Sequence, residues 1–548
     1  MENQRPFLYL AFFFTLFLLY TEWQKAYNPQ PIVTETEQAS MPSASGRSQD
    51  TPTAGIIPSA DIPQPQLPEG QPAVEEAPPQ LAVHVVTDLL DLQINTEGGT
   101  IYQLDLRNYQ KSAEEMDKPF RLFSIEESTY HIAQSGLLSS SYPAPSHEAV
   151  YRTEKTEYRM EEGTDELKVV LNWEKDGIKV SKIFTFTRDS YVIGVEHLVT
   201  ADNWTGSQYQ QLKRSLQERK SRMIPTYVGG VVYNEEDKYE KVDFDDIAEK
   251  NYKDKIMKGG WIAMIEHYFL SAWIPSQHQD NKVYTLHPEK PSRYILGSSS
   301  PSAQATEGSP VSFKSQLVVG PKLQDRLEMI APGLELTVDY GILTILAKPL
   351  FWLLKIYHSF FDNWGWAIIF LTITVKLIFY KLSEVGYRSM AKMRKVTPRL
   401  QSLKERYGDD RQRMSAEMMK LYKEEKINPL GGCFPILVQI PVFIALYWVL
   451  LESVEMRNAP FALWIQNLSE QDPYYILPIL MGSTMFIQQK LNPAPVDPIQ
   501  QKVFQFMPAV FTVFFLFFPA GLVLYWVVNN SLSIIQQWII TKRIESAK

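Results

Sequence analysis

Five apolar segments in the last third of this 548-residue chain constrain its fold more than any other feature. A helix of about 20 apolar residues crosses a hydrocarbon core about 30 Å thick, so each segment is a predicted membrane span. Several are short, which predicts local thinning of the bilayer around them. The predicted spans cover residues 364–380, 433–451, 474–487, 503–518 and 521–540.

Charges in the connecting loops predict the direction of these spans. Residues 381–426 hold thirteen Lys and Arg against seven Asp and Glu, whereas residues 452–472 hold one Arg against four acids. Basic loops stay in the cytoplasm, so the first loop is predicted to be cytoplasmic and the second external. The N-terminus and the tail 542–548 are then predicted to be cytoplasmic as well.

The first 80 residues contain an apolar run and a polar tether. Residues 7–20 are apolar and no small-x-small cleavage site follows, so residues 1–23 are predicted to form an uncleaved signal-anchor helix. Residues 24–80 are rich in Pro, Gln, Ser, Thr and Glu. Because they can bury little apolar surface, they are predicted to form a disordered external tether.

Residues 81–335 are predicted to form an external antiparallel β-sandwich. The β-rich runs 167–173 and 178–187 flank Asp176-Gly177, which is a strong hairpin signal. A short helix is predicted at 322–330. An amphipathic helix at 339–361, interrupted by Pro349, is predicted to lie in the membrane interface rather than to cross it.

The basic loop is predicted to contain a cytoplasmic helical hairpin at 383–427. Gly408 would end its first helix and Asp410 would cap its second. Two interpretations stay open: the methionines fill the hairpin's own core, or the Met-rich, basic hairpin contacts anionic lipid, RNA or a nascent chain. The apolar stripes are Met390, Met393, Val396, Leu400, Leu403 and Tyr407, then Met414, Met418, Leu421 and Tyr422. The candidate contact residues are Arg388, Lys392, Met393, Arg394, Met414 and Met418.

Sequence signatures of catalysis are missing. No Gly-rich phosphate loop, His/Cys metal cluster or nucleophile constellation is present, and a single cysteine, Cys433, excludes an internal disulfide. His131, His197 and His267 could converge on one sandwich face, but hydrogen-bonded core or surface histidines are the simpler interpretation. We therefore predict a protein that is not an enzyme and that binds no cofactor, no metal and no specific nucleic acid.

Lys376 places a charge inside the first predicted span. A charged side chain at the centre of a bilayer costs at least about 2.5–3.5 kcal/mol, so it needs water or a polar partner. It lies about 6 Å of helix before Tyr380, and its stem could reach the cytoplasmic interface. Alternatively, together with Thr372 one turn earlier and polar residues of other spans, such as Gln439 and Asn530, it lines a wet groove open to the cytoplasm.

Several motifs in the membrane half, together with the block Gly259-Gly260-Trp261-Ile262-Ala263-Met264 in the outer domain, are specific enough to suggest a family. The membrane motifs are Asn363-Trp364-Gly365, Tyr387-Arg388-Ser389-Met390-Ala391-Lys392-Met393, Asn428-Pro429-Leu430-Gly431-Gly432-Cys433-Phe434-Pro435, Ala459-Pro460-Phe461-Ala462-Leu463-Trp464-Ile465, Asp472-Pro473-Tyr474-Tyr475-Ile476-Leu477-Pro478-Ile479-Leu480 and Phe518-Pro519-Ala520-Gly521-Leu522-Val523-Leu524-Tyr525-Trp526. With them, the chain resembles the YidC family of membrane protein insertases in its Gram-negative form, closely over about residues 339–541.

The resemblance implies both a function and a location. Such a protein accepts hydrophobic segments of nascent inner-membrane proteins in a polar groove and releases them into the bilayer, and it also assists their folding and assembly. It acts alone or beside the SecYEG translocon and its accessory membrane subunits, and contacts ribosomes transiently. The resemblance further implies a multi-pass protein of the cell inner membrane, with a periplasmic β-supersandwich that resembles sugar mutarotases without established catalysis.

Two positions depart from the family pattern. Where the family usually has arginine, this chain has Lys376, which keeps the charge but loses the planar fork that binds a carboxylate through two hydrogen bonds. Where the family commonly has proline, it has Lys381, so the kink or helix end that a proline would favour there stays open. The resemblance implies groove roles for Lys376 and Trp526, and the polar span residues Thr372, Gln439 and Asn530 complete the candidate groove.

Two other classes of protein remain as alternatives. A solute transporter or channel with an external capture domain would usually show internal repeats, and the five spans show no convincing repeat. A membrane-anchored enzyme that modifies carbohydrates outside the cytoplasm would need only the outer domain.

Overall fold

The computed structural model describes residues 81–112, 115, 117–216, 226–249, 255–407, 410–425, 434–492 and 498–546. The predicted signal anchor 1–23, the tether 24–80, Gly408 and Cys433 lie outside the described residues. Within these bounds, a β-domain is followed along the chain by a helical domain.

The β-domain contains two large sheets that share one core. Its described strands are β1 Ala82–Val86, β2 Leu90–Asn95, β3 Thr100–Gln110, β4 Pro119–Phe123, β5 His131–Leu138, β6 Arg152–Thr153, β7 Glu157–Arg159, β8 Glu166–Lys175, β9 Ile178–Thr187, β10 Val192–Thr200, β11 Asn203–Arg214, β12 Gly229–Asn234, β13 Lys238–Val242, β14 Lys255–Lys258, β15 Trp261–Ile265, β16 Phe269–Ile274, β17 Asp280–Leu286, β18 Tyr294–Ser299, β19 Ala303–Thr306 and β20 Val311–Pro321. The main path of one sheet is β14-β17-β18-β11-β5-β3-β2-β1-β7, and the other sheet is β13-β12-β15-β16-β20-β10-β9-β8-β6. The predicted sandwich is therefore confirmed.

The predicted hairpin at Asp176-Gly177 is present between β8 and β9. Both turn residues have positive φ, 51° and 78°, as a tight two-residue hairpin turn requires. Along β9, every second side chain from Ile178 to Phe186 is buried, which is the period of two of a strand with one face in a core. The sandwich is antiparallel except at one edge, where β1 pairs with β7 in parallel.

The three histidines that could have converged, His131, His197 and His267, have separate hydrogen-bond partners, which agrees with the simpler interpretation given above. Burial lowers the pKa of His131 and of His197, so both rings are neutral. The pairs are His131 with the Ser271 hydroxyl at 3.0 Å, His197 with the Gln208 amide at 3.1 Å and His267 with the Leu451 carbonyl at 2.8 Å.

Ten described helices complete the chain. They are α1 Phe244–Ala248, α2 Gln324–Ile330, α3 Thr344–Phe361, α4 Trp364–Ile378, α5 Tyr380–Tyr407, α6 Arg411–Glu424, α7 Phe434–Glu452, α8 Ile476–Leu491, α9 Pro498–Phe515 and α10 Ala520–Ser546. Helices α1 and α2 belong to the β-domain. In the helical domain, α10 packs against α4, α5 and α8, while α3 packs against α4 and α7.

Helices α3 and α4 differ from the sequence predictions. Helix α3 runs through Pro349 without interruption, because a proline in the second turn removes a single intrahelical hydrogen bond. The first predicted span ends early: α4 stops at Ile378, and the chain bends by 68° into α5. The bend forms although residue 381 is a lysine, so no proline is needed for it. Among the described helices, none passes a length and hydropathy test for a membrane span alone, and the bent pair of α4 and α5 passes it together.

The predicted helical hairpin is formed by α5 and α6. Its small core contains Val396, Leu400 and Leu421, with Met393, Leu403, Met418 and Tyr422 packed beside them. The predicted stripe residues Met390, Tyr407 and Met414 are half-buried and lie outside that cluster. Asp410 caps α6 by accepting a hydrogen bond from the Arg413 amide at 3.1 Å, as predicted.

Replacing Leu400 by Ala should destabilise this hairpin by about 2–3 kcal/mol, because the side chain is 2% exposed and fills a small core. Limited proteolysis of the full protein in detergent should then cut residues 383–427 faster. Met390→Ala is the matched control, since Met390 lies on the same helix outside the cluster. Equal cleavage of both variants would contradict this role for Leu400.

A buried ion pair joins the β-domain to the helical domain. The Nζ of Lys322, just after β20, lies 3.6 Å from the carboxylate of Glu452, the last residue of α7, and donates to the Thr337 carbonyl at 3.2 Å. Nearby, burial lowers the pKa of His267 to about 3. The neutral ring must therefore carry its proton on Nε2 to bond the Leu451 carbonyl.

The chain just after α7 strengthens this junction. Val454 is 1% exposed and belongs to the hydrophobic core of the β-domain. The Arg457 guanidinium donates to the Lys111 carbonyl at 2.9 Å and lies 5.3 Å from the ring centres of Phe120 and Phe269. The start of the α7–α8 loop is thus held by the β-domain.

Candidate functional site

The Lys376 side chain is buried in the helical domain and bonded to a neutral group. It is 7% exposed, and its Nζ donates to the Ser533 hydroxyl oxygen on α10 at 2.8 Å. The Ser533 hydroxyl in turn donates to the Asn529 carbonyl at 2.7 Å. Across the described ranges, no carboxylate oxygen lies within 4.0 Å of this ammonium. Its positive charge therefore has no counter-ion among the described residues.

Of the other predicted groove residues, Thr372 and Asn530 are buried close to this position. The Thr372 hydroxyl donates to the Ile368 carbonyl of its own helix at 2.6 Å, so that helix satisfies it. The Asn530 amide lies one turn before Ser533 on α10 and donates to the Thr484 hydroxyl of α8 at 3.3 Å.

The remaining predicted groove residues, Trp526 and Gln439, lie on α10 and α7. Trp526 is two turns before Ser533 on α10, and its ring packs edge-on against Phe443 and Phe515, with centroids 4.9 and 5.6 Å away. Its indole N–H is buried without a hydrogen-bond partner in the described chain. Gln439 is half-buried near the start of α7. Neither side chain is hydrogen-bonded to Lys376.

Sequence reasoning missed most of a polar stripe on α10. Asn530, Ser533, Gln536 and Gln537 are all buried. Gln536 donates to the Tyr380 carbonyl at 3.3 Å, where α5 begins, and Gln537 donates to the Leu491 carbonyl at 3.1 Å, where α8 ends. Residues 530, 533 and 537 are spaced three and four apart, so this helical periodicity could have revealed the stripe.

The opposite end of the bundle is covered by the loop between α7 and α8. Asn363 caps α4 by accepting from the Trp366 amide at 3.1 Å, and its own amide donates to the Phe461 carbonyl of the loop at 2.9 Å. The first amides of α10 also bond to this loop, Ala520 to the Glu470 carbonyl at 2.6 Å and Gly521 to the Leu468 carbonyl at 2.9 Å. These contacts lie about 18–20 Å of helix from Lys376 and Ser533.

The predicted contact residues of the hairpin lie partly on its surface. Arg388, Lys392 and Arg394 are exposed, and Arg388 bonds to Glu384 at 2.7 Å. Met393 and Met418 pack beside the hairpin core, and Met414 is half-buried. For Met393 and Met418, the interpretation as core filler is the one that these contacts favour.

Comparison with known proteins assigns the chain to a family. Residues 82–353 match the model of the YidC periplasmic domain, and residues 356–547 match that of the 60Kd inner membrane protein family. A membrane protein insertase YidC from Thioalkalivibrio sulfidiphilus is 51% identical over 564 residues, which cover 100% of this chain and 99% of that protein. The chain belongs to the YidC family. A second YidC insertase, from Methylococcus capsulatus, is 50% identical over 100% of this chain and 99% of its own length.

One solved structure also aligns with the chain. It is described as an active YidC insertase with its first transmembrane domain resolved, and it aligns over 84% of this chain and 94% of that chain, at 18% identity and a TM-score of 0.38. Membership in the YidC family follows from the sequence matches, which extend through both domains. It identifies the β-domain as a YidC periplasmic domain and the helical domain as part of an inner-membrane protein.

Proposed function

We propose that this protein accepts hydrophobic segments of nascent inner-membrane proteins beside the polar stripe of α10 and releases them into the bilayer. One observation carries the proposal: the buried ammonium of Lys376 is bonded to a neutral hydroxyl and has no carboxylate within 4.0 Å in the described chain. An uncompensated charge in a membrane-facing bundle favours an anionic group that arrives from outside the protein. The names of the full-length relatives support the same activity.

The mechanism uses charge to bring in a polar flank and burial to complete the transfer. Acidic groups on the flank of a substrate are attracted to Lys376, which acts as a point charge because lysine lacks the arginine fork. The polar side chains Thr372, Gln439 and Asn530 lower the cost of bringing hydrophilic atoms part of the way across. The apolar segment then moves into lipid, and burying about 20 apolar residues drives the step. Trp526 offers an aromatic surface to that segment.

The orientation in the membrane is part of the proposal. Five spans follow the periplasmic domain, the hairpin of α5 and α6 is cytoplasmic, and a signal anchor at 1–23 leaves the N-terminus in the cytoplasm. The covered end of the bundle then faces the periplasm and the Lys376 end faces the cytoplasm. The exposed side chains of α3 support a position for this helix in the membrane interface. Ile345, Trp352 and Phe360 are apolar and exposed, and the charged Lys348 is exposed on the same helix.

The proposed partners combine this orientation with what the resemblance to the YidC family implies. The exposed basic residues of the hairpin receive the nascent chain near anionic lipid headgroups and make transient contact with a ribosome. The protein works alone or beside the SecYEG translocon and its accessory membrane subunits. It also assists folding and assembly of membrane proteins, without acting as an enzyme.

Replacing Lys376 by Ala should reduce insertion of a substrate whose external tail carries acidic residues by about tenfold, because the attracting charge is lost. The measurement is insertion into proteoliposomes that contain the full protein, scored by protease protection of the tail. The paired substrate carries Asn and Gln in place of Asp and Glu. Its insertion should change much less.

Lys376→Arg is the control, because it keeps the charge at the same position. It should insert both substrates as the parent protein does. The comparison is the ratio of acidic-tail to neutralised-tail insertion. If this ratio is the same for Lys376→Ala as for the parent protein, the proposed electrostatic role of Lys376 is contradicted.

A further inference from the structure

Lys376 is placed where its side chain could reach either the bundle interior or the membrane interface. It lies two residues before the end of α4, and the chain leaves that helix through a bend of 68°. A lysine has a flexible four-carbon stem, and close to a helix end it can turn its ammonium toward the interface. The same stem can point inward toward α10. A charge that acts inside the bundle therefore needs something to hold it there.

A hydrogen bond to Ser533 keeps the Lys376 ammonium inside the bundle. Its oxygen accepts from the Lys376 Nζ at 2.8 Å, while its own proton goes to the Asn529 carbonyl at 2.7 Å. The donated proton fixes the hydroxyl, so that a lone pair faces the ammonium. Ser533 is 3% exposed, and this geometry leaves the bond to Lys376 largely shielded from competing water.

The rest of the polar stripe fixes the position of Ser533 itself. Asn530 and Gln537 tie α10 to two points on α8, and Gln536 ties it to the start of α5. These bonds join α10 to neighbouring helices on both sides of Ser533 along the chain. A shift or rotation of α10 would break several of them together, so the hydroxyl stays at one place relative to α4.

We infer that Ser533 is a positioning residue, which holds the Lys376 ammonium inside the bundle and keeps it from turning to the cytoplasmic interface. The functional consequence rests on the proposed function, since it is the acidic flank of a substrate that would use the positioned charge. The neutral hydroxyl suits this task better than a carboxylate would. It binds the ammonium without cancelling its charge, so the charge remains available to an arriving anion.

The position of the amine can be measured directly. Inside-out membrane vesicles with the full-length protein are treated with a water-soluble amine-acylating ester, and modification of Lys376 is quantified by mass spectrometry. In Ser533→Ala, modification of Lys376 should rise about tenfold, because a hydrogen bond to a charged group is lost and the amine turns to water. Ser533→Thr keeps the hydroxyl and should restore the parent level.

Ser531→Ala is the matched control on the same helix. The Ser531 hydroxyl donates only to the Val527 carbonyl of its own helix, at 2.7 Å, so its loss should leave the modification of Lys376 unchanged. Equal modification of Lys376 in the parent protein and in Ser533→Ala would overturn the inference. So would a rise in Ser531→Ala as large as that in Ser533→Ala.

Insertion assays give the functional readout. Ser533→Ala should lower the ratio of acidic-tail to neutralised-tail insertion about threefold to tenfold, and it should add nothing in a Lys376→Ala background, because the two residues act through one charge. A uniform loss on both tails would indicate a merely structural role and would overturn the inference. If modification of Lys376 rises but Lys376→Ala has no tail-specific effect, the proposed electrostatic function fails while the positioning role of Ser533 stands.

Discussion

Replacing Lys322 by Ala is expected to loosen the junction between the β-domain and the helical domain by about 3–5 kcal/mol, because it leaves the buried Glu452 carboxylate unpaired. The two side chains are 2% and 6% exposed, so water cannot take the place of the lost ammonium. The Thr337 carbonyl also loses its hydrogen bond from Lys322. Amide hydrogen exchange of residues 452–457 in the full protein should accelerate by about a hundredfold or more.

A nearby pair provides the control for this prediction. Lys241 and Asp339 lie 2.7 Å apart, but about two-fifths of each side chain is exposed. Lys241→Ala should cost less than about 1 kcal/mol and leave the exchange of residues 452–457 almost unchanged.

Replacing both partners of the buried pair tests the mechanism. Lys322→Met combined with Glu452→Leu should recover most of the lost protection, since no charge is then left buried without a partner. If the double variant exchanges as fast as Lys322→Ala, the cost does not come from an unpaired charge. The assignment to this ion pair would then be wrong.

The sequence could predict elements whose signals are local. The β8–β9 hairpin follows from Asp176-Gly177, and the cap of α6 follows from Asp410, because each feature depends on neighbours within a few residues. The hairpin core was also predicted from helical spacing. Lys376 and Thr372 could be chosen because a polar side chain in an apolar run is conspicuous, whatever its partner.

Contacts between distant parts of the chain could not be predicted in the same way. Lys322 and Glu452 lie in different domains, and nothing near either residue indicates the other. The partner of Lys376 is Ser533, a small residue whose importance depends on how α4 and α10 pack. The bend after Ile378 also escaped prediction, since sequence rules associate such bends with proline and this one has none.

Replacing Gly365 by Ala is the second change with a large expected effect, because it would disturb the covered end of the helical bundle. A Cβ at this position would lie 2.0 Å from the ring of Phe461, closer than any real contact. The ring cannot simply move away, since the Phe461 carbonyl accepts from the Asn363 amide at 2.9 Å and its own amide donates to the Ile465 carbonyl at 3.0 Å. Either the loop shifts or the start of α4 does, at a cost of about 1–3 kcal/mol.

In the proposed orientation, the strain should open the periplasmic end of the bundle, which the α7–α8 loop covers, and thiol labelling can measure that opening. A cysteine at the buried Ile368 should react faster with a large membrane-impermeant thiol reagent in Gly365→Ala than in the parent protein. A cysteine at Ala462, on the exposed part of the loop, is the control and should react equally fast in the parent protein and in Gly365→Ala. Adding Phe461→Leu removes the ring that the new methyl group meets, so the double variant should return to the slow reaction. If the cysteine at Ile368 still reacts fast after Phe461→Leu is added, the close approach of helix and loop does not explain the faster reaction. The added methyl group would then have acted through the backbone of α4 alone.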